Sequence, residues 1–246
     1  MKRFKADLHI HTVLSPCGSL EMSPKIIVEH ALSAGLDIIG ITDHNSTRQS
    51  QIIRDYACEK GLHVICGAEV NTAEEVHCLA LFEKDEELNE FQSFLDIKLK
   101  NIKNNPDIFG YQVYVDVNEK ILGMEERLLI SSLDADIYEV EEKVHILNGL
   151  FIPAHIFRPY NGIINQLGFI PSNLKADAFE VSSINDISSL NQTLRIPYKG
   201  TFIKNSDAHT PRMIGKSFTT FEMESLSFAE IRMAFADENG RKVILE

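Results

Sequence analysis

The sequence predicts an α/β fold built on a parallel sheet, either open or closed into a barrel. Three observations point there. Apolar runs of strand length alternate with stretches of helical periodicity through most of the 246 residues. One of those runs, Leu36–Thr42, is almost continuously apolar, as expected of a strand covered on both faces. Histidines and acids then recur where strands should end, the edge at which such sheets assemble their working sites.

Taken in order, Arg3–His11 reads as the first strand. Ser23 is placed to cap a helix with Pro24 at its first position, and the apolar stripe Ile27, Val28, Ala31, Leu32 stops at Gly35. Leu36–Thr42 is the second strand, and Gln49–Lys60 a helix closed by Gly61. His63–Val70 and Val76–Phe82 are strands, followed by a helix over Glu86–Ile102. From Lys103 to Asp136 the rhythm breaks: Gln112–Val117 alternates like a strand, and Asn118-Glu119-Lys120 can turn it back through Ile121-Leu122. This stretch, about 103–136, reads as a local elaboration on a single domain spanning 1–246. Ile137–Asn148 is a helix ended by Gly149, and Leu150–His155 a strand. Short strands follow at Ala178–Val181, Phe202–Asn205 and Ser217–Phe221, and a last helix at Phe228–Ala236.

Composition narrows the function. Thirty-six acids against 24 Lys and Arg leave a net charge of −12, which argues against a protein that coats long nucleic acid through a basic surface. A short nucleic-acid end entering a pocket stays compatible with that balance. No apolar run has membrane-spanning length, and no apolar signal core precedes the first strand, so a cytoplasmic protein is expected. Asn45-Ser46-Thr47 and Asn191-Gln192-Thr193 match the glycosylation sequon but mean nothing without secretion. None of the four cysteines forms a C-x-x-C pair.

The chemistry is concentrated in six of the nine histidines and a few acids. Asp7-Leu8-His9-Ile10-His11 places two imidazoles at i and i+2 on a strand, on one side, where both can grip one cation. Thr42-Asp43-His44, Glu69, His155 and Ser206-Asp207-Ala208-His209 fall at later strand ends; His77 is the exception, near the start or middle of its strand. Imidazole and carboxylate donors in this number suit two or three zinc, manganese or iron ions, with Glu69 the natural bridging carboxylate. Asp43 reads as a carboxylate that orients a ligand from behind, and Asp7, on the same side as the histidines, as either a ligand or an orienting group. His30, His63 and His145 read as ordinary packed or hydrogen-bonded residues. Arg158 and Arg212, each three residues beyond a histidine of the set, are candidate clamps for substrate phosphate. Gly215-Lys216-Ser217 lacks the first glycine and the strand–helix setting of a phosphate loop and is set aside.

Together these motifs resemble the PHP (polymerase and histidinol phosphatase) superfamily, whose members carry His-x-His, Asp-His, Glu, His, His and Asp-x-His in this order. The resemblance covers about Phe4 to Gly215. It implies a distorted (β/α)7 TIM-like barrel holding two or three divalent metal ions. By it His9, His11, Glu69 and Asp207 would hold one ion, His44 and His209 a second, and His77 and His155 a third that shares Glu69. One departure is visible. Many relatives carry an aspartate or histidine after the His-x-His; here the loop reads Ser15-Pro16-Cys17-Gly18, so Cys17 stands about where that ligand should be. Either its thiolate binds, which would favour softer metals, or the second ion is under-coordinated and exchanges easily.

The expected activity is a metal-dependent phosphoesterase acting on a small phosphorylated metabolite or nucleotide, in which a hydroxide activated by the cations attacks phosphorus. Three other readings keep the same site: a nuclease on short nucleic-acid ends, a metal-dependent hydrolase of C–N bonds, and a non-catalytic metal-binding accessory protein.

Overall fold

In the computed structural model, residues 1–188 and 200–245 are described, and the Asn191–Thr193 sequon lies outside them. Seven strands form one sheet in the order β11-β10-β1-β2-β3-β4-β7. They are β1 (Lys2–Ile10), β2 (Ile38–Ile41), β3 (His63–Asn71), β4 (His77–Phe82), β7 (Leu150–Pro153), β10 (Thr219–Met223) and β11 (Lys242–Ile244). Two smaller ladders stand apart from it. The antiparallel pair β5 (Val113–Val115) and β6 (Ile121–Met124) is the predicted hairpin. The parallel pair β8 (Phe179–Glu180) and β9 (Phe202–Ile203) spans the open side of the curl. Single hydrogen bonds attach it: Asp177 N to Phe151 O and Ile156 N to Glu180 O on one side, His11 N to Ala208 O on the other. The result is an α/β fold with a curled, half-barrel sheet.

The sheet is not uniformly parallel, which corrects the expectation. β1–β2, β2–β3 and β8–β9 run parallel, but β3–β4 and β4–β7 are antiparallel. The reason is local: Thr72–Val76 is too short for a crossover helix, so β3 and β4 form a hairpin, closed by Thr72 N to Val76 O. His77 therefore pairs with Asn71, and the start of β4 lies at the same rim as the end of β3. The apparent exception among the histidines disappears.

Apolar side chains sort by face. Ala6, Leu8, Ile38, Ile65, Leu79, Ile152, Ala178 and Ile203 form one cluster to which each strand of the curl contributes. Residues of opposite parity pack outward. Ile39, Ile41 and Val64 meet α1 (Pro24–Ser33) and α2 (Ser50–Cys58); Ala68, Ala80 and Phe82 meet α3 (Asp85–Lys98) and α5 (Ile137–Ile146). Elsewhere lie α4 (Pro106–Phe109), α6 (Ile163–Leu167) and α7 (Phe228–Phe235). Ser23 sits at the start of α1, but its hydroxyl donates to Glu119 Oε1 instead of capping the helix. No helix among the described residues is long and apolar enough to cross a membrane.

The β1–β2 ladder carries a register shift between Asp7 and Ile10, where three steps on β1 match two on β2. Such a bulge reverses side-chain parity. Leu8 packs in the inner cluster, yet Ile10 packs outward, which turns His9 and His11 inward at the mouth. Asp7 is separated from them by the same shift. Gly40 accommodates the bulge, since a Cβ there would stand 2.4 Å from Leu8 O. Gly40→Ala is expected to cost about 1–3 kcal/mol. In a chain of this length that lowers the thermal midpoint by roughly 2–4 °C per kcal/mol, measurable by calorimetry.

Candidate metal centre

At the rim, backbone pairing decides which side chains meet. Glu69 N donates to Asp43 O and Asn45 N to Glu69 O, so His44, just past the end of β2, lies beside Glu69 near the end of β3. Ala154 N donates to His77 O, which brings His155 next to His77. Ala208 N donates to His9 O and His11 N to Ala208 O, which sets Asp207 beside the two β1 histidines. His155 and Asp207 have φ of +30° and +49°, a left-handed conformation that non-glycine residues hold only where surroundings enforce it.

Glu69 is the hub. It is 1% exposed, and five imidazoles lie within 3.3 Å of its carboxylate. His9, His77 and His155 face Oε1 at 3.3, 2.8 and 2.9 Å; His11 and His44 face Oε2 at 3.3 and 3.0 Å. Asp207 Oδ1 stands 3.4 Å from His9 Nε2 and 3.3 Å from His11 Nε2, and these two nitrogens are 3.2 Å apart. Donor atoms fall into three groups lying within 4.8 Å: His9, His11 and Glu69; His44, Glu69 and His77; and His11, Cys17, His44 and His209.

This donor set fits divalent cations. Two imidazole nitrogens facing each other across a carboxylate pair is a ligand arrangement, and Asp207 Oδ1 is buried with no hydrogen-bond partner among the described residues. Charge is arranged to match. Burial alone would raise the Glu69 pKa, but His77, His9 and His44 outweigh it and hold it well below the carboxylate range. Asp207 is likewise held low against its burial by His9 and His11. Burial pushes His77 down to about 4, with His44 and His155 assisting against Glu69. His209 is pushed down to about 4 by burial and by His11. Both are thus neutral near pH 7, the form that donates a lone pair.

The histidines have partners behind them. His9 Nδ1 lies 2.9 Å from Glu180 Oε2, and His11 Nδ1 lies 3.0 Å from Ser15 Oγ, which donates to Asp43 Oδ1. Asp43 also accepts from Thr12 N and Thr12 Oγ1 and is 1% exposed, so it orients His11 through Ser15. It lies behind His11 and does not line the cleft, as suits a carboxylate that orients a ligand and not one placed to act on substrate. Asp7 accepts from Ser206 N and Gly215 N, pinning the Asp207 loop. Both its oxygens are thus taken up by backbone amides, it joins none of the donor groups, and the Gly215 turn set aside as a phosphate loop is its anchor. Cys17 is carried by the loop whose Ser19 N donates to His209 O, which explains why thiol and imidazole meet.

The centre opens into a cleft of about 400 Å³ lined also by Asn71, Ile130, Arg158, Tyr160 and Asn161. Arg158 Nη1 contacts Asp207 Oδ2 at 2.7 Å. Arg212 is exposed on the 3-10 turn Pro211–Met213 and does not line the cleft, so of the two expected arginines only Arg158 reaches it among the described residues. Two residues escaped the sequence reading. Glu180 looked like any acid, although its place inside the apolar run Ala178–Val181 was a usable signal. Asn71, two residues beyond Glu69, gave none.

The PHP domain signature matches residues 7–138, more than half of the chain, and a PHP-associated signature matches residues 199–239. The chain belongs to the PHP domain family. It is 26% identical over 282 aligned positions to the uncharacterized Bacillus subtilis protein YqxK, covering 99% of this chain and 65% of YqxK. Among solved structures it resembles the lesion-specific endonuclease PfuEndoQ of Pyrococcus furiosus, with 25% identity and a TM-score of 0.74 over 99% of this chain and 58% of that one. An Endonuclease Q complex with a 27-mer duplex substrate carrying an abasic lesion matches at 24% identity and a TM-score of 0.69, over 98% of this chain and 58% of that one. The chain thus spans about three fifths to two thirds of these relatives. At its rim the domain carries His, Glu and Cys clusters able to hold metal.

Proposed function

We propose that this PHP domain hydrolyses phosphoesters, and that its substrate is a phosphodiester of a nucleic-acid strand. The observation that carries the reading is the hub itself: five imidazoles and Asp207 gathered about Glu69, with Arg158 on the lip. His9, His11, Glu69 and Asp207 would hold one cation; Cys17, His44 and His209 a second; His77 and His155, with Glu69 shared, a third. When bound, such cations lower the pKa of water and offset negative charge on a phosphoryl group. The protein's own contribution is orientation. Glu180 and the Ser15–Asp43 pair hold the rings of His9 and His11, while Asp207 ties Arg158 to the centre through its second oxygen. The guanidinium fork then has donors to spare for phosphate oxygens.

The strand substrate departs from the sequence expectation of a small metabolite. It draws on the likeness to an enzyme described as a lesion-specific endonuclease, which runs along nearly the whole chain. The net charge of −12 favours the second reading, a mononucleotide or small phosphorylated metabolite. The test uses protein reconstituted with manganese or zinc, offered bis-p-nitrophenyl phosphate, p-nitrophenyl phosphate and duplexes with an abasic or deaminated site. Turnover of the diester and nicking of the duplex are expected; exclusive monoester turnover would favour the metabolite. No turnover with any metal sinks the phosphoesterase.

Arg158→Ala is expected to lower kcat/KM on phosphoesters about 10- to 100-fold, the weight of a hydrogen bond to a charged group. Arg158→Lys should recover only part, because the ammonium lacks the fork. Unchanged kinetics in both variants would remove the clamp from the scheme.

A further inference from the structure

Apart from its cation donors and Arg158, the cleft has a second character. Asn71 is 5% exposed and lines it, and Asn71 Oδ1 is buried without a hydrogen-bond partner among the described residues. The amide cannot simply be turned round, because Nδ2 donates to Ile130 O at 3.1 Å and the reverse orientation would set two acceptors together. A buried, unpaired acceptor on a residue that lines a cavity is costly unless a small shift of the side chain lets a donor from outside complete it.

Two further side chains of the same cleft offer surfaces for a flat ring. Ile130 lines the cleft and is held in place through Asn45, whose Nδ2 donates to Leu129 O and Ser131 O on either side of it. Tyr160 lines it too, with 78% of its surface exposed. Its loop is nevertheless fixed, since Asn161 O accepts from His77 N and Asn161 Nδ2 donates to Glu75 O. An exposed aromatic ring on a backbone fixed in this way, in the same cleft as Arg158, is a stacking surface, and an aliphatic side chain there can serve as the opposing wall.

We infer that Asn71, Ile130 and Tyr160 form a nucleobase subsite, which takes the ring attached to the scissile phosphate and reads an N–H on its edge through Asn71 Oδ1. This rests on the phosphoester reading for its location relative to the reacting bond. It names which part of a nucleotide the chain recognises, and it suits an acidic protein, because one base and one phosphate suffice where a long basic track is lacking.

The experiment compares two chromogenic diesters with the same leaving group, thymidine 5′-p-nitrophenyl phosphate and methyl p-nitrophenyl phosphate. The metal-loaded native protein should prefer the thymidine ester by roughly 10- to 100-fold in kcat/KM. Tyr160→Ala should remove most of that preference through KM, and Tyr160→Phe should keep it. Methylating N3 of the thymine should lower the preference by up to about 10-fold, the worth of one hydrogen bond. The chain has no tryptophan, so the indole introduced by Tyr160→Trp is the sole such fluorophore, and thymidine monophosphate should quench it. No preference in the native protein, or a preference indifferent to Tyr160→Ala, overturns the inference. If neither ester is hydrolysed with any metal, the phosphoester reading falls, and quenching by thymidine monophosphate alone decides whether the subsite stands.

Discussion

Glu69→Gln is expected to strip the centre of metal and to suppress turnover beyond the roughly 10- to 100-fold that follows loss of an outer partner. The substitution keeps the shape of the side chain and removes only its charge. That charge is shared by five imidazoles within 3.3 Å, and no other buried carboxylate among the described residues touches both His9 and His77. An amide at this place would also point N–H donors at ring nitrogens whose lone pairs are needed for cations. The measurements are metal content by mass spectrometry after dialysis and kcat/KM on the diester, with circular dichroism to establish that the fold is kept. A folded Glu69→Gln protein with full metal stoichiometry would contradict the assignment of Glu69 as hub.

The second large effect is expected from Glu180→Gln. Glu180 is 3% exposed and meets His9 Nδ1 at 2.9 Å, which directs His9 Nε2 towards Glu69 and Asp207. Burial disfavours charge on His9, yet Glu180, Glu69 and Asp207 outweigh it and raise its pKa well above the usual value. A carboxylate behind a ligand imidazole fixes its tautomer and raises its basicity, and losing it typically costs 10- to 100-fold in metal affinity or activity. Competition against a fluorescent chelator would read the affinity directly. His145→Gln is the control: His145 is paired to Asp177 at 3.1 Å and Glu141 at 3.3 Å, so it too loses carboxylate partners, but far from the rim. If both variants bind metal as the native chain does, Glu180 has only a packing role.

These effects divide between what could be read before and after folding. Six histidines with Glu69 and Asp207 were legible because ligand chemistry admits few residue types and α/β sheets display them at strand ends. Helices were legible within a few residues because their apolar stripes end at glycines such as Gly35, Gly61 and Gly149. Strand direction was not legible, since an apolar run such as Val76–Phe82 reads the same whichever way it pairs. Only the short Thr72–Val76 link, closed on itself, makes β4 antiparallel and delivers His77 to the rim.

The parity of the first strand was equally hidden. By simple alternation Asp7, His9 and His11 share a side, and the one-residue bulge over Gly40 divides them, leaving Asp7 to pin the Asp207 loop. Glu180 and Asn71 stayed invisible for a related reason: each is defined by an atom near it in space, His9 Nδ1 in one case and Ile130 O in the other. The amino-acid sequence by itself thus determined the periodicities, the family and the inventory of donor atoms, all of which are properties of residue type and spacing. Tertiary structure alone decided which donors converge, which stand behind them, and that one arginine of two reaches the cleft, because hydrogen-bond register and chain direction are settled only when distant segments pair.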